Sequence, residues 1–424
     1  MIRRGLRQGC PLSPLIFMLY LQGLEAKIQQ SGLGFNLSFF KQGKLIEQSL
    51  PGLMYADDIV LMADNAEDMQ ELMDICGTEG DRLGLKFSKE KSAVMIFNDN
   101  ICGEHKIQEA TLKIVNKYKY LGVWINNGIE YLTEYEKYLT TKGNRSAAII
   151  KSRALWNYNR YEVVRGIWKG VMVPGLTFAN AVLCIRTETR QQLEIRQRGV
   201  GRLALGAHGK TPNLGVQGDL GWSFEGRAAS SKIVFEERLR KMGEIRWARK
   251  VFTYLYTRNV DTRWRKRTRK LTSKYLGSSG GTSKESSVKK MVNETERGMW
   301  STEMLTKSAL ETYRTFKQEI AKENIYYNSK GSSMLFEART GVLRTKTYRA
   351  RYQEIDLVCE ACGEEEETAE HLILACNLLH PAFESNGELF KALGFKDSES
   401  RIDFEQVEIT KRRLSDWWII STQK

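Results

Sequence analysis

The stretch "LPGLMYADDIVLMADN", residues 50–65, sets two adjacent carboxylates, Asp57 and Asp58, between short apolar runs. Two like charges side by side repel, and Asp is common in turns, so taken alone the pair also fits a plain hairpin turn. A divalent cation gives a reason to keep both. Hard ions such as Mg²⁺ bind through one or two carboxylates together with substrate phosphates, and a tight turn between strands would present the pair from a rigid support.

Three further stretches flank this one in order. "RQGCPLSP", residues 7–14, runs into a helix: Gln8 and Gly9 offer an amide side chain and a close-approach backbone, and two prolines fix the helix entry. "GLKFSKEKSAVM", residues 84–95, puts Lys91 just before a strand, within reach of a phosphate or a leaving group. "YKYLGVWI", residues 118–125, reads as an aromatic and apolar hairpin edge bent at Gly122. Each alone also fits a helix cap, a solvated lysine or a core strand.

Around these lie helical periods from Leu15 to Ile28, stopping at Ser31-Gly32, and from Glu67 to Leu83, ending at Gly84. "GFNLSFF" and "KLIEQSL", joined by Lys41-Gln42-Gly43, read as a hairpin. From about Tyr131 to Tyr256 the pattern is mostly helical, broken at Pro174-Gly175, at "GAHGKTPNLG" and at "GDLGW". "GSSGGTSKESS", residues 277–287, reads as a flexible linker and the clearest boundary in the chain. The expected segments are therefore 1–130, 131–276, the linker 277–287, a helical region 288–350, a Cys/His unit 351–385 and a tail 386–424.

The chain's 424 residues, 42% hydrophobic, suffice for two or three domains with real cores. Lys and Arg outnumber Asp and Glu by 65 to 51, a net +14 that points to polyanionic partners, nucleic acid before anionic membrane. No apolar run reaches the ~18–20 residues that span a bilayer, and the N-terminus lacks a signal-peptide core, so an intracellular protein without a membrane partner is expected. Seven cysteines without a regular framework argue for reduced thiols.

Three of those seven, with one of only four histidines, fall within "CEACGEEEETAEHLILAC", residues 359–376. Cys359, Cys362, His371 and Cys376 have the spacing C-x2-C-x8-H-x4-C, which can close a tetrahedral Zn²⁺ site. A CxxC turn beside an unrelated buried Cys376 is the plainer alternative, and His380 is an alternative fourth ligand. The acidic run Glu364–Glu367 reads as a solvated loop. Residues 246–275 interleave cations with Trp247, Phe252, Tyr254, Tyr256 and Trp264, the aromatics reading as buried. Within them "RWRKRTRK", residues 263–270, is six-eighths cationic, and Arg263, Arg265, Lys266 and Arg267 are expected to be solvated as a nucleic-acid patch or import signal.

"RQGCPLSP", "YADD", "GLxxxxxKS" and "YKYLGV" occur in the order and spacing of reverse transcriptases, and the match resembles the non-LTR, LINE-type retrotransposon class. It covers the palm blocks between about Arg3 and Ile125, and more loosely the thumb at "QRGVGRLALGAH" and "GDLGW". The resemblance implies that Asp57 is a direct ligand of Mg²⁺ or Mn²⁺ and Asp58 a second or supporting one, with Tyr55 and Ala56 leaving room for a primer end. It puts Gln8 and Gly9 against the incoming nucleotide and template. It links Lys91 to the triphosphate and makes Tyr120, Leu121 and Gly122 the primer grip. Ser88 stands where the family usually has Asn. The Cys/His spacing resembles the C-terminal segment of LINE-type proteins.

The implied fold is α/β (α+β): a partial polymerase palm around an antiparallel sheet, a mostly helical thumb and a small Cys/His zinc-knuckle tail. The implied function is RNA-directed DNA polymerisation by two-metal phosphoryl transfer, with an RNA template and a DNA primer or target as partners, in a ribonucleoprotein of nucleus or cytoplasm. The third carboxylate, from a Phe/Tyr-x-Asp block upstream of Gln8, is not in the sequence, and Asp64, Asp68 and Asp74 are no substitutes. The expectation is a chain inactive by itself, with an exposed palm edge. The alternatives are a non-catalytic nucleic-acid-binding remnant of a transposon and, less well, an intron-type maturase.

Overall fold

The computed structural model describes residues 9–98, 103–154, 159–277, 285–382, 387–396, 399 and 401–422. They form two compact units, one of residues 1–135 with 236–266 and one of residues 136–235 with 267–424.

In the first unit the helix Ser13–Gln30 starts with Pro14 in its first turn, where the missing N–H costs nothing. Its Leu21, Leu24 and Ile28 pack against Leu72, Met73 and Cys76 of the helix Ala66–Arg82. That second helix is capped by Asn65, whose side chain accepts the Asp68 N–H at 2.7 Å, and it carries Glu67 and Asp68 in its first turn, where the helix dipole favours acids. Glu79, buried on it, bonds Lys27 of the first helix and Arg82 of its own. These two cations hold the Glu79 carboxyl below the ordinary range, against the opposing effect of burial. The opposite face of Ser13–Gln30, with Leu15, Ile16, Met18 and Leu19, is exposed.

The strands correct one expectation. Instead of one antiparallel palm sheet, the described residues form six two-stranded sheets. Ala93–Val94 and Lys113–Ile114 pair in parallel, and the other five pairs are antiparallel. The hairpin Gly52–Tyr55/Asp58–Leu61 has no third strand on either edge among the described residues, so its backbone groups there are open to pairing. From residues 236–266, the helix Trp247–Thr257 sets Tyr254 edge-on to Phe39, ring centroids 6.4 Å apart.

The second unit is helical around one large cluster that includes Tyr161, Trp168, Leu193, Val200, Leu220, Trp300, Tyr313 and Phe336. "GDLGW" has a physical reading here. A Cβ on Gly218 would stand 2.3 Å from Tyr313 Oη and 2.7 Å from Trp300, so only glycine lets these helices approach. Asp219, fully buried, accepts Tyr313 Oη at 2.6 Å and Tyr326 Oη, and pairs with buried Arg339 at 3.2 Å. Arg339 also reaches Glu323, which Lys317 neutralises, and donates to the carbonyls of Leu393 and Gly394. Two acids and two bases thus balance inside the core, as burial of charge requires.

Two expectations about the C-terminal half change. Residues 278–284 of the expected linker lie outside the described residues, but residues 285–287 are the first turn of the helix Glu285–Met304. The stretch is no boundary between compact units: Leu271 and Tyr275 before it share an apolar cluster with Val288 and Val292 after it. Nor is the Cys/His segment a separate tail. Cys359, Leu372, Ile373, Cys376 and Leu379 belong to the same cluster as Trp300 and Phe336, and the last helix, Phe404–Thr422, adds Val407, Leu414 and Trp417.

Candidate functional site

The Asp pair sits on a two-residue hairpin loop, with Tyr55 opposite Asp58 in the ladder and Ala56-Asp57 between them. Ala56 has φ +53°. Positive φ on the first loop residue alone is the pattern of a type II′ turn, which favours glycine there. An alanine in the left-handed region costs about 1–2 kcal/mol, so the turn is held by its strands rather than by local preference. Asp57, Asp58 and Tyr55 are exposed, and among the described residues neither carboxylate lies within 4 Å of a cation. The two charges therefore face solvent uncompensated.

A second hairpin of the same make stands near it. Lys117–Tyr120 and Val123–Asn126 pair over four positions, and the loop residues Leu121 and Gly122 have φ +46° and +83°, the type I′ pattern. Burial raises the Tyr120 hydroxyl above its ordinary value, and the charge of Asp58 raises it further. Lys91, exposed, lies just before the strand Ala93–Val94, and its carbonyl accepts the Tyr118 hydroxyl. Gly9 is exposed with φ +83°, and Gln8 lies outside the described residues.

The Cys/His centre is assembled from three local devices. A bridge between Val358 and Glu366 closes the CxxC turn, in which the Cys359 N–H bonds Glu365 O at 2.7 Å. A π-helical turn, His371–Ala375, then brings His371 and Cys376 in from the other side. The ligand atoms of Cys359, Cys362, His371 and Cys376 all lie within 4.8 Å of one another. Tetrahedral zinc–thiolate geometry needs edges of about 3.8 Å, and His371 Nε2 stands 3.4 Å from Cys362 Sγ, so the donor set fits a four-coordinate soft ion. His380 is exposed and outside this set.

Residues that sequence reasoning missed complete the centre. His371 Nδ1 meets Glu365 at 2.7 Å, which leaves Nε2 facing the thiols, the carboxylate–histidine arrangement of metal sites. Burial pushes Cys359 up to about 12 and raises Cys376. Burial also opposes ionisation of Cys362, but the N–H groups of Glu365 and Glu364 and the neighbours His371 and Cys359 bring its thiol down to about 7. The acidic run is not a solvated loop as a whole: Glu367 is fully buried, accepting the N–H groups of Lys346 and Glu360 and the Trp417 indole. Arg413, also buried, donates to the carbonyls of Leu372, Cys376, Leu379 and Pro381.

The basic run departs from expectation at Arg265, which is buried, while Arg263 and Lys266 are exposed. It forms the helix Arg263–Leu276, on which Arg265, Thr268 and Leu271 share one face at spacing i, i+3, i+6 and are all buried. Arg265 bonds the carbonyls of Leu255 and Val260 and stacks 4.5 Å over Tyr256. Arg263 pairs with Glu130, Lys266 with Asp261 and Arg267 with Glu225; Arg263, Lys266, Arg269 and Lys270 are exposed. Of the neighbouring aromatics, Phe252 is buried under Arg240 and Arg249, and Lys250 lies 4.2 Å over Trp247. These rings are engaged internally.

Comparison with known proteins follows the same division. Residues 1–125 match the family model of the reverse transcriptase (RNA-dependent DNA polymerase). Over 65 residues the chain is 40% identical to the retrovirus-related Pol polyprotein from type-1 retrotransposable element R2 of Popillia japonica. That similarity takes in 15% of this chain and 8% of the Pol polyprotein, so the chain matches less than a tenth of its curated relative's length. Among the described residues no helix is long and apolar enough to cross a membrane.

Proposed function

We propose that residues 1–125, a reverse transcriptase segment of the non-LTR retrotransposon type, carry part of the polymerising site of an RNA-directed DNA polymerase acting on an RNA template and a DNA primer. The observation that carries this reading is the pair of exposed, uncompensated carboxylates Asp57 and Asp58 on a strained two-residue turn inside the matched segment. Asp57 and Asp58 would hold Mg²⁺ or Mn²⁺. Bound there, the ions would activate a primer hydroxyl and neutralise a triphosphate. In this reading Tyr120, Leu121 and Gly122 position the primer strand, Lys91 meets the phosphates, Tyr55 borders the primer end, and Gln8 and Gly9 border the nucleotide. The fold reads accordingly as a partial palm followed by a helical thumb, and the Cys/His set as a structural zinc centre. The compartment would be that of a retrotransposon ribonucleoprotein.

Among the described residues the one cluster of three or more possible ligands is the Cys/His set, so no third carboxylate joins the Asp pair. This favours a second reading, in which the chain alone binds nucleic acid without extending it. The third carboxylate would then enter on a strand paired to a free edge of the 52–61 hairpin. Templated extension of a DNA primer on RNA by the purified chain, with Mg²⁺ or Mn²⁺, separates the two. We expect none, together with weak Mn²⁺ binding that D57N and D58N abolish; Mn²⁺ binding unaffected by either substitution defeats the assignment of the pair.

A further inference from the structure

In the second unit a further group of cations is not contiguous in sequence. Separated segments bring five cations together: Arg160 opens the helix Arg160–Ile167, Arg202 lies near the end of Thr187–Leu205, Lys210 follows in the loop, Lys330 opens Lys330–Arg339, and Arg344 comes just after. The loop of Gly206 to Lys210 is the hub. A Cβ on Gly206 would meet both Arg160 Nη2 and Ser333 Oγ at 2.1 Å, so the two segments close on that residue. His208 donates its N–H to Glu337 at 3.3 Å, its ring Nε2 lies 3.3 Å from the Val342 carbonyl, and its Nδ1 accepts the Lys210 N–H at 3.2 Å. Arg202 braces the loop through the carbonyl of Thr211 at 2.9 Å.

Among the described residues none of these five cations lies within 4 Å of a carboxylate. Arg160 Nε is buried without a hydrogen-bond partner. The acid among them, Glu337, is already engaged by His208, and burial raises its carboxyl toward the neutral form. Lys330, its ammonium 3.5 Å over the Trp418 ring, is lowered by burial and has Arg344 and Arg160 as like-charged neighbours. Lys210, Lys330 and Arg344 are exposed. Assembling like charges from distant parts of a chain costs stability, and a polyanion running across them offsets that cost by releasing its counterions.

We propose that Arg160, Arg202, Lys210, Lys330 and Arg344 form a binding surface for the sugar–phosphate backbone of a polynucleotide. It is a surface of the second unit and deepens the nucleic-acid reading, but it does not rest on the Asp57–Asp58 assignment. The test is fluorescence anisotropy of labelled single-stranded RNA with the full chain over a salt series. K330E/R344E should weaken binding about tenfold near physiological salt and lower the slope of log K against log salt by about 1.4, two phosphate contacts' worth for a single strand. The neutral pair K330Q/R344Q should lower the slope with an unchanged melting curve, which separates lost contacts from lost fold. R263E/K266E, two cations that already pair with Glu130 and Asp261, should weaken binding less. Equal or greater weakening by R263E/K266E overturns the proposal, as does an unchanged slope in both 330/344 variants. RNA binding that these variants spare while they abolish binding to anionic vesicles also overturns it.

Discussion

Replacing Arg413 with Met tests whether the last helix holds the Cys/His centre in place. Arg413 is 1% exposed, and its guanidinium donates to Leu379 O at 2.7 Å, Cys376 O at 2.8 Å, Pro381 O at 3.0 Å and Leu372 O at 3.3 Å. Met keeps most of the stem's packing and removes every donor. Pro381 adjoins exposed His380, where water can replace the lost bond; Cys376 O keeps the Leu379 N–H at 3.5 Å, and Leu372 O and Leu379 O lose their Arg413 bonds in the buried core. At about 1–3 kcal/mol for each buried unsatisfied group, with part of that for Cys376, the sum is roughly 2–7 kcal/mol. Groups in one network do not add fully, and relief of the desolvated guanidinium, whose pKa burial lowers, offsets part. The expected loss is about 4 kcal/mol, the range for breaking a buried charged network. Because one of the carbonyls belongs to Cys376 of the proposed zinc centre, zinc affinity should also fall ~10–100-fold. Urea unfolding in reducing, zinc-containing buffer, followed by tryptophan near-UV circular dichroism, reads the first, and competition with a chromophoric chelator reads the second. A loss under ~1 kcal/mol with unchanged competition would refute the reasoning.

Chelation of zinc, or Cys376→Ser, should loosen far more than a finger, since the centre shares the main core; hydrogen exchange should rise in the helices Lys330–Arg339 and Phe404–Thr422 as well as in residues 357–379. A rise confined to 357–379 contradicts the shared core. Ala56→Gly, at φ +53°, should stabilise the Asp hairpin by about 1 kcal/mol, read as slower proteolysis at the turn. Glu79, whose carboxyl is held below its unfolded value, contributes stability that is present above the ordinary carboxylate pKa and is lost as pH falls through the lower folded value. Acid melting of the first unit should therefore flatten in Glu79→Gln, and an unchanged pH profile counts against the Lys27–Glu79–Arg82 clamp.

Features whose partners are close in sequence were legible. The helices Ser13–Gln30 and Ala66–Arg82 follow from apolar spacing, the turn at Leu121-Gly122 from its glycine, and the Cys/His set from ligands within one short segment. Features that depend on distant partners were not. Arg339 reaches Asp219 across 120 positions, and Trp417 reaches Glu367 across 50, with no local pattern to mark either. Glu367 looked like one more member of an acidic run because composition cannot say which of four glutamates the chain turns inward. The strands flanking the Asp pair and Leu121-Gly122 were legible as strands, whereas Lys106–Ile107, Ala110–Thr111 and Lys113–Ile114 were not, and grouping into separate pairs depends on long-range pairing that period alone does not encode.

Charge shows the same limit and gives it a functional edge. Density of cations along the chain singled out residues 263–270, yet a helix distributes a run around its axis, so one face of any run must look inward. Arg265 takes that face, Glu130 and Glu225 from distant segments meet Arg263 and Arg267, and the adjoining Asp261 meets Lys266. Lys210 and Lys330 are isolated cations in sequence, and Arg344 opens the looser basic stretch Arg344–Arg351; none draws notice there. The fold brings them to one loop and gives them no acid within 4 Å among the described residues. A polyanion responds to the charge left over after internal pairing, not to the charge encoded per residue. On the proposal made above, the surface around His208 would then add to the exposed Arg269 and Lys270 as positive charge open to a polynucleotide.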